Sequence, residues 1–526
     1  SRPIEIPELL CAILDTAGAR PNYVVHCIPT SMDIRTSARL LSRYALVSKF
    51  WNECATPLLW EMLPDQLPLL KLLPTDAWTT IDVSRQSSFL EQGNATQLVS
   101  SATSIGEFWV ESIYQHIARE LSGKDWEPVE KLGRHVKVLR FDSQLCTPST
   151  LAMISATLPN PLPLPNLERL HVTTHGPSDN DFLPLLCSPK LWDLQIWVQC
   201  DGIPVLGHIS RQCPRLTHLL LTLAEHDFDR DLAGAKVLGY NIVSMPTITH
   251  LSLLVGLDIA GLLVVVLGHC QQLTHLRLCD PSHVLMKPES ALALHALEST
   301  LIWSLRSLHL PRVCPDFAMA LLRSLGNEPL EMEVLKMPIT CFRTRDEMKQ
   351  LIEAVAQHCS PATLVHLNII AGQPPIPVVN QLPNPAMVPI EFFRPLSHYR
   401  LLESASLGES GGAIGLTDDD YAELAQWWPN MVHLRIPNVT GTASTLKTLL
   451  AFARHCKRLE TVNLKLDAYS LSLSIEEIAA AIRGGVPALK RLEINDGRIG
   501  TTDDVADCLS TLFPALMEVV YRGDDE

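Results

Sequence analysis

Aliphatic residues recur along the last three quarters of the chain with the spacing Leu-x-x-Leu-x-Leu. The clearest copy is Cys213-Pro214-Arg215-Leu216-Thr217-His218-Leu219-Leu220-Leu221. The same spacing returns as Leu167-Leu170-Val172, Leu191-Leu194-Ile196, Ile248-Leu251-Leu253, Leu273-Leu276-Leu278, Leu305-Leu308-Leu310, Leu364-Leu367-Ile369, Met431-Leu434-Ile436, Leu459-Val462-Leu464 and Leu489-Leu492-Ile494, with weaker copies opening at Val136, Met332, Leu402 and Leu516. From Val136 to Leu516 there are 380 residues over 13 intervals, about 29 each, which is the period of a leucine-rich solenoid. Each period has room for a strand and a helix. Apolar helices are predicted ahead of the strands at Leu206 to Gln212, Leu262 to His269, Leu351 to His358 and Leu446 to His455. The fold class is therefore α/β: a helical head followed by a strand-plus-helix solenoid in a horseshoe or arc.

Within each copy the Leu positions point into the solenoid. The residues just before and just after the second Leu point to its concave side, because side chains alternate along a strand. Arg169, His171, His218, His250, His275, Arg277, His309, His366, His433, Arg435 and Arg491 fall on those positions and form the candidate substrate-binding face. Among the 20 residues of the ten clear copies, Arg169, Arg277, Arg435 and Arg491 stand against Asp193 and Glu493. That face is locally basic and His-rich. Arg in such a setting offers bidentate contacts to an acidic or phosphorylated peptide. The alternative is a solvated strand surface on which His is merely tolerated.

The opening 63 residues follow a helical period instead. Ile6, Leu10, Ile13 and Leu14 make one apolar stripe behind Pro7. Leu40, Tyr44, Val47 and Trp51 make a second, and Ala55, Leu58, Leu59 and Met62 a third, with Pro57 near its opening turn. Thr16 to Arg35 reads as a polar insert between the first two. So small a bundle cannot bury all of these residues, and a docking surface follows. Residues 64–130 read as a helical connector, with Ile105 to Leu121 in helical spacing, and residues 131–526 as the repeat domain. Glu225 to Asn241, Ala371 to Arg394 and Gly408 to Asp420 interrupt the period and read as loops.

A chain of 526 residues with 47% apolar side chains exceeds one compact core, and the repeats select a one-dimensional array. The formal charge of −15, from 42 basic and 57 acidic residues, argues against nonspecific binding to nucleic acid or to an anionic membrane. Protein partners are expected. The 14 cysteines are scattered, with no Cys-x-x-Cys, as in a reducing compartment. Cys213, Cys270 and Cys456 stand three residues before the first Leu of their copies, and Cys187 and Cys359 lie close to the same place, so they read as small apolar packing groups. No signal peptide or membrane-length apolar run is visible, which points to cytosol or nucleus. The chain begins at Ser1 rather than Met, as a chain with an upstream segment would.

Ile6-Pro7-Glu8-Leu9-Leu10, Tyr44-Ala45-Leu46-Val47-Ser48-Lys49-Phe50-Trp51-Asn52-Glu53 and Ala55-Thr56-Pro57-Leu58-Leu59-Trp60-Glu61 together resemble the F-box motif, in the form found in the large fungal group of F-box-like proteins. The Cys-x-x-Leu-x-x-Leu-x-Leu copies resemble the cysteine-containing repeats that F-box proteins often append. The resemblance implies docking on a Skp-type adaptor, and through it on a cullin scaffold, with the repeats capturing a protein substrate for ubiquitin transfer. Pro7 and Leu9 match the family's N-terminal Leu-Pro contact, with Leu10 and Ile13 on the same stripe. Leu46, Val47 and Trp51 match its Leu-Val-x-x-x-Trp helix, and Leu58, Leu59 and Trp60 its closing Leu-Trp element. No catalytic motif is present: there is no His-Glu-x-x-His, nucleophile elbow, Gly-x-Gly-x-x-Gly or Walker sequence. No cofactor or metal is expected. The reading is a noncatalytic substrate receptor. Two alternatives stand beside it: a leucine-rich scaffold that does not bind the adaptor, and a metal-dependent enzyme built on the His row.

Overall fold

A computed structural model of the chain describes residues 31–80, 115–158, 164–174, 182–198, 205–223, 232–254, 259–279, 304–310, 312–326, 328–339, 342, 344–371, 388–409, 414–436, 444–468, 473–495 and 502–522. It divides into two compact units, Ser1–Asp227 and Phe228–Glu526.

The first unit opens with α1 (Ser31–Ala45) and α2 (Lys49–Glu61), which runs directly into β1 (Met62–Leu63). After α3 (Leu67–Leu70), β2 (Trp78–Thr80) pairs antiparallel with β3 (Gln115–Ile117). Helix α4 (Gly123–Gly133) leads to β4 (Val138–Asp142), and the chain then alternates: α5 (Pro148–Thr157), β5 (Arg169–Thr173), α6 (Leu183–Leu186), β6 (Asp193–Val198), α7 (Leu206–Gln212), β7 (His218–Leu223). Strands β1, β4, β5, β6 and β7 pair in that order, all parallel.

The second unit continues the alternation with α8 (Leu232–Val243), β8 (His250–Leu254), α9 (Ile259–His269), β9 (His275–Cys279), β10 (Ser307–His309), α10 (Pro315–Ser324), β11 (Val334–Lys336), α11 (Arg345–His358) and β12 (His366–Ala371). It goes on through β13 (Ser404–Glu409), α12 (Asp418–Trp427), β14 (His433–Ile436), α13 (Leu446–His455), β15 (Thr461–Leu464), α14 (Ile475–Ile482), β16 (Arg491–Asn495), α15 (Thr502–Leu512) and β17 (Glu518–Arg522). Each strand from β8 to β17 lies parallel beside the next. Every copy read from the sequence, weak ones included, is a strand.

The repeat spacing explains the core. Leu216 sits in the turn where its N–H meets the Cys213 carbonyl, and Leu219 and Leu221 then alternate inward; all three are buried. Thr217 and His218 both direct their N–H groups at the Trp192 carbonyl of the preceding strand, which starts the ladder. The corner cysteines are buried free thiols. Cys456 donates its S–H toward the Ala425 and Trp428 carbonyls at 3.4 Å, and Cys187 toward Leu183 at 3.3 Å, so they use carbonyls that a helix end leaves without an internal partner. Burial pushes the Cys359 and Cys456 thiols up to about 12, which makes them packing groups rather than nucleophiles.

Several helices begin on caps legible in the sequence. Thr417 with Asp420 and Ser474 with Glu477 form reciprocal capping boxes. Two intervals between neighbouring parallel strands, β9 to β10 and β12 to β13, have no α-helix among their described residues. Between β12 and β13 two 3₁₀ turns, Ile390–Phe392 and Arg394–His398, fill the helical layer, and Tyr399 plugs the end of α11.

Some expectations need correction. The second head stripe is not one helix: α1 ends at Ala45 and α2 starts at Lys49, capped by the Ser48 hydroxyl, so Tyr44 and Trp51 sit on different helices and Val47 lies in the turn. Helix α1 also begins at Ser31, inside the segment read as a polar insert. Pro57 lies in the middle of α2, not in its first turn. In the connector, residues 115–117 are strand rather than helix, because β2 supplies a pairing partner that helical spacing alone cannot reveal. The interruption at Glu225 to Asn241 is helical over its second part, where Leu238 and Ile242 are buried at helical spacing. The first head stripe, including Pro7, Leu9, Leu10 and Ile13, lies outside the described residues.

Candidate functional site

Two surfaces are built from the residues singled out in the sequence. The first is the turn between α1 and α2. Leu41 is the buried anchor, and Tyr44, Trp51, Cys54, Leu58 and Leu59 pack against it half-buried. The Tyr44 and Trp51 rings stack with centroids 5.6 Å apart. That packing holds the turn rigid, with Leu46 and Val47 donating N–H groups back to Arg43 and Tyr44. Both side chains stay in water: Leu46 is 85% and Val47 64% exposed, and Phe50 beside them is exposed as well. Trp60 is half-buried further along α2. Hydrogen bonding fixes this turn to the repeats of its own unit. Glu61 accepts from the Lys137 N–H at 2.8 Å and pairs with its ammonium at 3.1 Å, and Met62 and Leu63 are in register with Val138 and Leu139.

The second surface is the open face of the strands. In the first unit Arg169 is buried: its guanidinium lies 4.4 Å from the Trp192 ring centroid and 4.0 Å from the Asp193 carboxylate. Its charge therefore acts inside the sheet. His171 is held down to about 4, first by burial and then by the Arg140 cation. His218 meets the Trp192 ring edge-on at 5.2 Å. Sequence reasoning missed Trp197, which is 48% exposed. Continuing the alternation past Gln195 would have found it.

In the second unit the backbone register sets the predicted residues level. His250, His275 and Ser307 form one row with Val334, His366, Ser404 and His433. Ser252, Arg277 and His309 form the other with Lys336, Asn368, Ser406 and Arg435. Across β9 to β14 these two rows carry three fixed cations, Arg277, Lys336 and Arg435, and no carboxylate. The nearby acids Glu333, Glu403 and Glu460 lie one residue earlier in their repeats, and each already pairs with a cation: Arg306 at 2.9 Å, Arg458 at 2.8 Å and Lys490 at 2.8 Å. Lys336 was missed because its repeat, opening at Met332, matches the spacing weakly. At the far end Arg491 is paired with Glu493 and Glu518.

Two histidines of these rows, His309 and His366, favour the neutral form. His309 is driven down to about 4 by burial, then by Lys336 and Arg277, and His366 is lowered for the same kinds of reason. The His250 and His275 rings stack 4.0 Å apart and 11° from parallel. Their lone pairs run side by side instead of converging, and no group of three His, Cys, Asp or Glu among the described residues could hold a metal. A Thr precedes each of His218, His250 and His275, with its hydroxyl 2.9 Å from Nδ1. Thr217 and Thr274 also direct that hydroxyl at the carbonyls of Trp192 and Thr249, so the proton between Thr and His belongs to Nδ1. The recurring tripeptide Thr-His-Leu was the sequence signal for this.

No family model matches the chain, and neither does any curated protein. Among solved structures it is similar to the Rad7 and Elc1 complex of yeast, at 13% identity and a TM-score of 0.37, over 93% of each chain. It is also similar to the Toll and Spatzle complex of Drosophila, at 11% identity and a TM-score of 0.33, over 78% of this chain and 53% of that one. Overlays this loose fix no residue correspondence. No described helix is long and apolar enough to cross a membrane.

Proposed function

We propose that the protein is the noncatalytic substrate-recognition subunit of an SCF-type ubiquitin ligase, docking a Skp-type adaptor through its helical head and a protein substrate through the open strand face. The observation that carries the adaptor half is the exposed Leu46 and Val47 pair, held on a turn that Leu41, Tyr44 and Trp51 make rigid. Leaving two aliphatic side chains in water is unfavourable unless a partner covers them. The coupling of α2 into β1 supports a head held in register on the strands of the first unit. The acid-free rows with Arg277, Lys336 and Arg435 favour an acidic or phosphorylated substrate segment, in a cytosolic or nuclear setting.

Copurification with a Skp-type adaptor tests the reading. The Leu46→Glu/Val47→Glu variant keeps the anchor residues intact and should lose the adaptor while its melting temperature stays close to that of the parent chain. Undiminished adaptor binding would leave the scaffold reading in its place.

A further inference from the structure

Arg277, His309, Lys336, Asn368, Ser406 and Arg435 are level neighbours on the consecutive strands β9 to β14. They make a track that crosses the strands instead of following one. Arg277 and Arg435 are exposed, Lys336 is half-buried, and none of the three has a carboxylate partner among the described residues. Acids are not scarce in a chain with 57 of them against 42 bases, yet the nearby Glu333, Glu403 and Glu460 are held by other cations. Like charges left together on one face repel, and an anion relieves that repulsion. Between its charged ends the track is neutral. Asn368 accepts the Ile370 N–H on its side-chain oxygen at 3.3 Å, which leaves the NH₂ of that amide to donate to a ligand, and Ser406 adds a hydroxyl. The first carboxylate further along the row, Glu493 on β16, is bound by Arg491 at 2.7 Å and by Asn463 at 2.6 Å. The stretch that attracts anions therefore runs from β9 to β14.

We propose that this track seats an extended substrate segment carrying two phosphorylated residues, one between Arg277 and Lys336 and the second at Arg435. The proposal rests on the open strand face being the substrate site. Strands about 4.8 Å apart put His309 on β10, the midpoint of the first cation pair, about 19 Å from Arg435 on β14. An extended chain advances about 3.3 Å per residue, so the two phosphorylated residues stand about five or six positions apart. A peptide that crosses the strands cannot join their ladder, and its carbonyls need other donors. Asn368 and Ser406 supply them between the two phosphates. Phosphate suits the ends better than carboxylate does, since it brings nearly two charges and three acceptor oxygens to side chains that can fork around them. Glutamate in either place should therefore bind more weakly.

Degenerate peptide libraries with two phosphoserines fixed at separations from roughly two to nine residues test this on the whole chain by fluorescence anisotropy. Affinity should peak at a separation of five or six. At that peak it should exceed the affinity of a library with one phosphoserine by on the order of tenfold or more. Arg435→Gln should erase the peak and leave single-phosphoserine binding as in the parent chain, with an unchanged melting temperature. Arg277→Gln/Lys336→Gln should weaken single and double libraries alike. Binding of single phosphopeptides with no gain from a second at any separation would overturn the two-phosphate track and leave the strand face as the substrate site. A spacing peak that survives Arg435→Gln would overturn it too. If no library binds, or if Arg277→Gln/Lys336→Gln binds all of them as the parent chain does, the reading of the face itself falls as well.

Discussion

Arg277 and Lys336 stand level with each other on β9 and β11, with His309 between them on β10. Strand spacing sets the two cations about 10 Å apart, wide enough for one phosphate or carboxylate to enter from above. His309, kept neutral by burial and then by these two cations, lies between them as a hydrogen-bonding group. Arg277→Glu/Lys336→Glu should therefore weaken capture of phosphoserine peptides from a random library by on the order of 10- to 100-fold. Fluorescence anisotropy with selected peptides measures this. Added salt should weaken the parent chain and leave the variant nearly unchanged.

Acid should destabilise the fold through His171 and His309. Both are lowered from 6.5 to about 4 in the folded chain, so between those values the unfolded chain binds more protons and stability falls as pH falls. The loss begins near pH 6.5 and levels off below about 4. For His171, the more buried of the two, it amounts to on the order of 2 kcal/mol. Urea melts at pH 7 and pH 4.5 should show a smaller difference for His171→Asn than for the parent chain.

Tyr399 carries a local stability that a hydrophobic count would miss. Its hydroxyl donates to the Cys359 carbonyl at 2.7 Å and lies 3.2 Å from that of Val355, both buried at the end of α11. Tyr399→Phe keeps the ring and removes the donor, and should cost roughly 1–2 kcal/mol in denaturant melts. An unchanged midpoint would mean that the carbonyls find water.

Asp418 ties one repeat to the next. Its carboxylate accepts from the Thr445 N–H at 2.8 Å, the Thr445 hydroxyl at 2.6 Å and the Thr448 hydroxyl at 2.7 Å, all at the start of α13. Asp418→Ala should cost about 2–4 kcal/mol and make unfolding of the second unit less cooperative, visible as a lower denaturant slope.

Repetition made the strands legible in advance. A slot such as Leu216, Leu219 and Leu221 is filled by the same physics in each period, so even the weak copies at Val136 and Met332 marked real strands. What repeats poorly was read poorly. The pairing of Trp78–Thr80 with Gln115–Ile117 depends on a partner some 35 residues away, and the break at Leu46 to Ser48 depends on the Ser48 cap rather than on the apolar stripe. Alternation put the residues of β8 to β14 into two rows, and the backbone register sets those rows level. Which charges on such positions are already paired, as with Arg169 and Asp193, depends on neighbouring strands and lies beyond a one-dimensional pattern.

The corner thiols lend the array a chemical clock. Sealed at Cys270, Cys359 and Cys456 with their ionisation pushed above pH 10, they stay inert to alkylating reagents until their own repeat loosens. The order in which they become labelled during mild denaturation would thus record, turn by turn, where the coil first comes undone.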